Sequence, residues 1–257
     1  MLPLSIALIS YNEEANLRRC LKSVEGLAQE IVVVDSGSTD ATVSIAMEFG
    51  AKIQHQSWLG YRDQKNVALD HCTQPWVLAL DCDEELSPEL KKSLLHFFEQ
   101  GDCDRFEGAS FHRLTWFLGR WIRHGDWYPD TKLRLFRRGH GRWVEPIHET
   151  ILLTGPTTLL QGDLLHYSFP SMKVYIEKIH PFAEEFFQKQ QGKKWSLAAT
   201  ITRPLWRFFR AYVLRRGFLD GFPGLWIAVA TGFSVFVRYS RSYEVLVQRS
   251  GTGNAGG

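Results

Sequence analysis

The sequence predicts an α/β protein with a mostly parallel central sheet, helices on both faces, and a helical, basic C-terminal extension. Three observations lead there. Short β-branched runs alternate with helical stretches through the first part of the 257-residue chain, the pattern of a parallel sheet covered on both sides. Several of those runs end in polar residues, as expected where a sheet offers its strand ends to a ligand. From residue 170 the spacing turns helical and the charge turns positive. Residues 170–250 hold 13 Lys+Arg against 5 Asp+Glu, a net of +8, whereas residues 1–169 hold 17 against 23, a net of −6.

The elements follow in order. Leu4–Ser10 is an apolar run that reads as a first strand. It lacks a basic n-region and reaches acids by Glu13, so a signal peptide is not expected. Glu13–Leu27 shows helical spacing, with Ala15, Leu17, Leu21 and Val24 on one side. Glu30–Asp35 is a strand buried on both faces. Ser36–Asp40 is a tight turn whose Asp40 can cap a helix running through Met47. Ala51–His55 is a third strand, Arg62–His71 a helix, and Trp76–Leu80 a fourth strand ending in Asp81-Cys82-Asp83-Glu84. Ser87-Pro88-Glu89 opens another helix, with proline at its first position. Residues 104–155 are aromatic and basic with short strands, and Met172–Gln191 is again helical.

Composition narrows the function. At 44% hydrophobic and 23% charged the chain is ordinary for a globular protein, which excludes disorder, collagen and coiled coil. Cys20, Cys72, Cys82 and Cys103 form no CxxC pair and read as reduced thiols. Three polar clusters, at 10–14, 35–40 and 81–84, fall on one rim of the sheet. Asp81 and Asp83 repel each other unless something positive lies between them, and a divalent cation would leave positions open for phosphate oxygens. There is no Walker-type glycine loop. Asp35 suits hydrogen bonding to a base or ribose, and Tyr11 can stack on a base. Together these describe a nucleoside-diphosphate site that needs a metal.

Leu8–Glu14 (LISYNEE), Ile31–Thr42 (IVVVDSGSTDAT), Gln64–Ala68 (QKNVA) and Leu78–Glu84 (LALDCDE) resemble, in that order, the motifs of a family 2 glycosyltransferase of the GT-A fold. Tyr128–Arg138 (YPDTKLRLFRR), His148-Glu149, His166-Tyr167-Ser168 and Gly217–Gly221 (GFLDG) resemble one subgroup, bacterial enzymes that add a sugar to heptose of the lipopolysaccharide inner core. The resemblance implies that Tyr11, Glu13, Asp35 and Lys65 contact the nucleoside, with Lys65 where the family usually has Arg. It implies that Asp81 and Asp83 form the DxD motif, Asp81 facing the ribose or metal and Asp83 binding Mg²⁺ or Mn²⁺, and that His166 completes the metal shell. It implies an inverting reaction in which Glu149 deprotonates the acceptor, with Glu145 and Asp130 as runners-up. The implied donor is a nucleotide sugar, UDP-glucose, and the implied acceptor a lipid-linked saccharide.

The expected organisation is a catalytic domain over 1–169, with a nucleotide-sugar half (1–100) and an acceptor half (101–169). A membrane-associating extension over 170–250 and a flexible tail over 251–257 follow. From Phe186 to Leu219 there are eight basic residues and no acidic one, and Arg203, Arg207 and Arg210 fall on one helical face beside Trp206 and Phe209. That pattern predicts peripheral attachment to an anionic membrane surface, the cytoplasmic face of the bacterial inner membrane. Gly221–Val237 is an uncharged run of 17 residues containing Pro223, short for a span. Two other readings share these features. One is a transferase acting on polyprenyl phosphate; the other is a non-catalytic membrane-docking protein of the same fold. No nucleic-acid-binding motif is present.

Overall fold

The structure is a computed structural model that describes residues 1–144, 150–169, 171–189 and 195–251. It divides into two compact units. The first comprises Met1–Leu114 and Asp130–Tyr167, the second Thr115–Pro129 and Ser168 onward.

The first unit is built on an open sheet. Its strands are β1 (Leu2–Ser10), β2 (Ala28–Asp35), β3 (Lys52–His55), β4 (Trp76–Ala79) and β5 (Glu84–Leu86), with helices α1 (Glu14–Val24), α2 (Thr42–Glu48) and α3 (Tyr61–His71) between them. Then come α4 (Pro88–Glu99), α5 (Asp102–Arg105), β6 (Gly108–Phe117), β7 (Arg120–Ile122), β8 (Asp130–Arg137), β9 (Gly141–Val144), β10 (Thr150–Leu153) and β11 (Thr157–His166), of which β7 and the end of β6 from Thr115 belong to the second unit. The strand order is β3-β2-β1-β4-β8-β6-β11-β5, with β7 paired to β6 and a separate β9/β10 pair. The first four strands run parallel, whereas β8 is antiparallel to β4, β6 to β8 and β5 to β11. The α/β class holds, but the antiparallel share is larger than expected. The sequence between 104 and 155 alternates too irregularly to show pairing direction.

Alternation along the parallel strands sets the two faces. Leu4, Ile6 and Leu8 of β1 pack with Leu17 and Leu21 of α1, Ile45 of α2, and Leu90, Leu94 and Phe97 of α4. Ala7 of β1 and Val32 and Val34 of β2 pack on the other face with Ala68 and Leu69 of α3 and with Trp143. Each fully buried Leu or Ile contributes about 1.5–3 kcal/mol relative to exposure, so the stripe along β1 commits the strand to the centre. Ser87 caps α4 as expected, accepting a hydrogen bond from the Leu90 N–H at 3.1 Å. Asp40 serves α2 a residue early: Ala41 holds the cap position, while Asp40 accepts from the Thr42 N–H at 3.0 Å.

The second unit is helical: α6 (Met172–Lys189), α7 (Leu197–Phe209) and α8 (Gly221–Gly251), with a π-type turn at Arg210–Leu214 and a 3₁₀ turn at Gly217–Asp220. Glycines permit its tight packing. A Cβ on Gly224 would come within 1.9 Å of the Gly217 carbonyl oxygen, and one on Gly232 within 3.2 Å of the Pro204 carbonyl oxygen. The middle of α8 therefore lies directly against α7. The expected tail falls mostly outside the described residues.

Candidate active site

The rim of the sheet is made by the loops after β1, β2 and β4, and the first two loops are laced together. Asn12 takes a left-handed conformation, φ 53°, tolerable for asparagine. Its side chain accepts from the Thr39 N–H at 2.9 Å, while its own N–H donates to Ser38 Oγ at 2.9 Å. The Glu13 N–H donates to Thr42 Oγ1 at 2.7 Å. This lacing holds Tyr11 out on the surface, with its ring exposed.

Asp35 occupies a different place from the one its sequence position suggested. It is 1% exposed, and its oxygens accept from the Gly37 and Ser38 N–H groups, both at 2.9 Å, and from the hydroxyls of Ser38 and Ser10. Burial pushes its pKa up, but these hydrogen bonds, led by Ser38, outweigh that and hold the carboxyl below the usual range. A carboxylate offers about four acceptor sites, and all are spent within the protein. Asp35 shapes the loop that carries Ser36–Asp40.

The carboxylates after β4 are sorted by a buried cation. Arg134 of β8, 4% exposed, donates from Nη2 to Asp81 Oδ2 at 2.7 Å and to Glu84 Oε1 at 2.9 Å. Lys65 Nζ lies 2.9 Å from Asp81 Oδ1. Burial opposes the charge on Asp81, yet Arg134 and Lys65 hold its carboxyl well below the usual range. Burial likewise opposes the charge on Arg134, and Asp81 and Glu84 push its pKa up. Lys65 and Arg134 also stand over the Trp143 ring, 4.6 and 5.3 Å from its centre. Glu84, fully buried, accepts from the Asp81 N–H at 2.9 Å and fixes the turn.

Asp83 is left facing the rim. Its Oδ2 lies 3.4 Å from Nε2 of His166, at the end of β11, while the buried Nδ1 of that histidine has no hydrogen-bond partner among the described residues. Glu13 stands near the same acids. Burial first, then the charges of Asp83, Asp40 and Asp81, raise its pKa against a hydrogen bond from Asn16. The rim thus carries negative charge that its own cations do not balance. Asp81 has both oxygens occupied, so the donors that fit a divalent cation are Asp83 and His166. Two protein donors suit an ion held mainly by phosphate oxygens, and no group of three or more His, Cys, Asp or Glu forms a full cage among the described residues.

Glu149, Glu145 and His148 lie outside the described residues. Asp130 is bound by Arg113 at 2.8 Å and by Lys132 at 2.9 Å. Arg134, Glu84 and Trp143 were not singled out by sequence reasoning as site residues. The signal for Arg134 was its place in YPDTKLRLFRR, and for Glu84 its place at the end of LALDCDE.

The second unit has its own polar centre. Arg207 Nε lies 2.8 Å from Asp126, Arg215 3.4 Å and Arg210 3.6 Å, around a carboxylate that is 3% exposed. Arg203 donates to the Tyr239 hydroxyl and stands 4.9 Å over that ring. The arginines expected to face a membrane are thus engaged within the unit. Asp220, from GFLDG, accepts from the His124 N–H at 2.8 Å, lies 3.1 Å from His124 Nδ1, and is buried.

A sheet whose parallel strand ends gather acids beside exposed Tyr11 is the architecture of an α/β transferase of the GT-A class. Comparison with known proteins agrees. The sequence pattern of glycosyl transferase family 2 matches residues 5–153. An uncharacterised glycosyltransferase of Rickettsia typhi is 32% identical over 95% of this chain and 88% of its own length. The lipopolysaccharide core biosynthesis glycosyltransferase LpsC of Rhizobium meliloti is 31% identical over 93% of this chain and 94% of its own. Among solved structures, S. aureus TarS 1–349 in complex with UDP-GlcNAc aligns with a TM-score of 0.48 at 14% identity, over 91% of this chain and 82% of that one. The chain belongs to glycosyl transferase family 2.

Proposed function

We propose that this protein is a metal-dependent inverting glycosyltransferase that moves glucose from UDP-glucose onto a lipid-linked saccharide, the heptose of a lipopolysaccharide inner core, at the cytoplasmic face of the inner membrane. The observation that carries the reading is the sorting of the strand-end acids. Asp81 is locked by Lys65 and Arg134, while Asp83 and His166, 3.4 Å apart, stay turned to the rim. The name of the Rhizobium relative supports the choice of acceptor.

In this reading Tyr11 stacks on the base, and Lys65, held against Asp81 and Trp143, borders the nucleoside. Asp83 and His166 would hold Mg²⁺ or Mn²⁺, which when bound supplies positive charge to the departing diphosphate. Glu149 takes the proton from the acceptor hydroxyl as that oxygen attacks the anomeric carbon from the face opposite the leaving group. An α-linked donor then gives a β-linked product. Asp130 is a poorer candidate, because Arg113 and Lys132 already occupy its carboxylate.

The test is transfer from UDP-, GDP- and CMP-sugars to a heptose-bearing acceptor and to polyprenyl phosphate, with and without chelator. Turnover with UDP-glucose on the heptose acceptor, lost with chelator, is expected. Glu149→Gln should then lower turnover by ~10²–10⁴-fold with donor binding intact. A smaller effect than roughly threefold would move the role to Glu145 or Asp130.

A further inference from the structure

The helical unit leaves an unusually apolar face uncovered. Ile201, Leu205 and Phe208 of α7 and Val229, Phe233 and Phe236 of α8 line an open groove of about 400 Å³. Most of these side chains are about half exposed or more. Along α8 the exposed apolar positions 222, 229, 233, 236, 243 and 247 recur at intervals of three, four and seven, a single stripe along the helix. A contiguous apolar face of this kind marks a docking surface.

The chemistry around the groove points to its occupant. The span 186–219 contains no acid, and residues 170–250 carry a net +8. Asp126 takes up only one of the charges on Arg207, Arg210 and Arg215. An apolar stripe on a segment of net positive charge complements acyl chains beneath anionic headgroups. By length and composition α8 is able to cross a membrane, but its packing argues for another arrangement. The uncharged stretch of 17 residues measures about 25 Å as helix, against ~30 Å of hydrocarbon. It is also packed on α7 at Gly232 and Pro204, and tied to it by Arg203 and Tyr239. Arg241 ties α8 to Glu184 of α6 at 3.0 Å. A spanning α8 would carry the arginines of α7 into the bilayer centre.

We propose that α7 and α8 lie in the plane of an anionic leaflet, seated by the Ile201–Phe236 face, with the net positive charge of the segment as a secondary attraction and not as the principal anchor. The proposal rests on the membrane location proposed above but not on the transfer chemistry. It also changes the expected response to salt. Purely electrostatic attachment fades as the Debye length shrinks to ~3 Å at 1 M salt, whereas apolar seating persists.

The experiment is sedimentation of the full chain with vesicles of phosphatidylethanolamine and phosphatidylglycerol, at low and high salt. Binding that largely survives high salt is expected. Leu205→Glu with Phe233→Glu should lower it by at least ~10-fold, two large anchors having been lost. Met47→Glu, at an exposed apolar position in the sheet unit, should leave it unchanged. Ile201→Gln with Val229→Gln is the milder second pair, used should the charged pair fail to fold by circular dichroism. Binding unaffected by either folded pair overturns the proposal. So does protein that stays in the membrane after carbonate washing, which would mean a span. A lipid-free dimer, dissociated by the groove variants, also overturns it by making a second copy the occupant. Donor turnover measured in parallel keeps the two readings apart, because vesicle binding can fail while transfer persists.

Discussion

The two units use the same pairing, aspartate with arginine, to opposite ends. In the sheet unit one buried guanidinium serves two acids, half-buried Asp81 and fully buried Glu84, with Lys65 as a further cation on Asp81. In the helical unit three half-exposed guanidinium groups surround one buried acid, Asp126. The first arrangement is rigid and nearly neutral, and it leaves Asp83 as the outward acid. The second is cationic and faces solvent. Surroundings, not residue type, decide which pair builds a site and which holds helices together.

The largest expected effect is on Asp83. Its side chain faces His166 and takes no part in the buried network, so Asp83→Ala should cost ~10³-fold or more in turnover, about 4 kcal/mol of barrier. The melting temperature should barely change. A variant that keeps most of its activity with chelator present would remove the metal from the mechanism.

Next is Arg134→Met. Among the described residues it leaves buried Glu84 with only Arg113, at 3.5 Å, and half-buried Asp81 with only Lys65, a loss of about 3 kcal/mol, the lower end for a broken buried pair, readable by urea unfolding. The acid limb should change too. Asp81 has its folded pKa depressed, so its contribution is present above the ordinary carboxylate range and lost as pH falls through the lower folded value. The variant should show a weaker loss of stability toward acid. Asp126→Asn should cost less, about 1 kcal/mol, because its arginines reach water. Equal losses at Arg134 and Asp126 would erase the contrast between the units.

The smallest effect is a titration. Glu13 has its folded pKa raised by burial and by neighbouring acids. It therefore favours the fold below its ordinary pKa, and that contribution is lost as pH rises through the folded value. Adding Mg²⁺ or Mn²⁺ with UDP should lower the Glu13 titration midpoint, followed by carboxyl carbon NMR with Mg²⁺. A midpoint that ignores the ion would separate Glu13 from the metal position.

Much of the sheet unit was legible because its signals are local. Val32–Val34, the Ser87-Pro88 start of α4 and the acids at 81–84 each depend on a few neighbouring residues. What escaped was set by distant pairing. Arg134 reaches Asp81 because β8 lies antiparallel beside β4, with Leu135 opposite Leu78, and no local pattern around residue 134 announces that register. The hydrogen bonds of Asp35 to Ser10, Gly37 and Ser38 were likewise not legible, because a strand-end aspartate reads alike whether its hydrogen bonds go inward or outward. The same ambiguity affected Arg203, Arg207 and Arg210. Helical spacing put them on one face, but that face met Asp126 and Tyr239, contributed from elsewhere in the chain.

The open sheet ends on two small margins. β3 is four residues long and begins at Lys52, and β5 is three residues long and contributes Glu84 and Glu85. Short, charged outer strands are poor templates for further strand addition. The nine-stranded sheet is thus protected against edge-to-edge aggregation at both ends, even though its interior is rich in valine and isoleucine. Concentrated samples of this protein should therefore fail first through the apolar helical face, and additives that shield that face should prolong their solubility more than any change at the sheet margins.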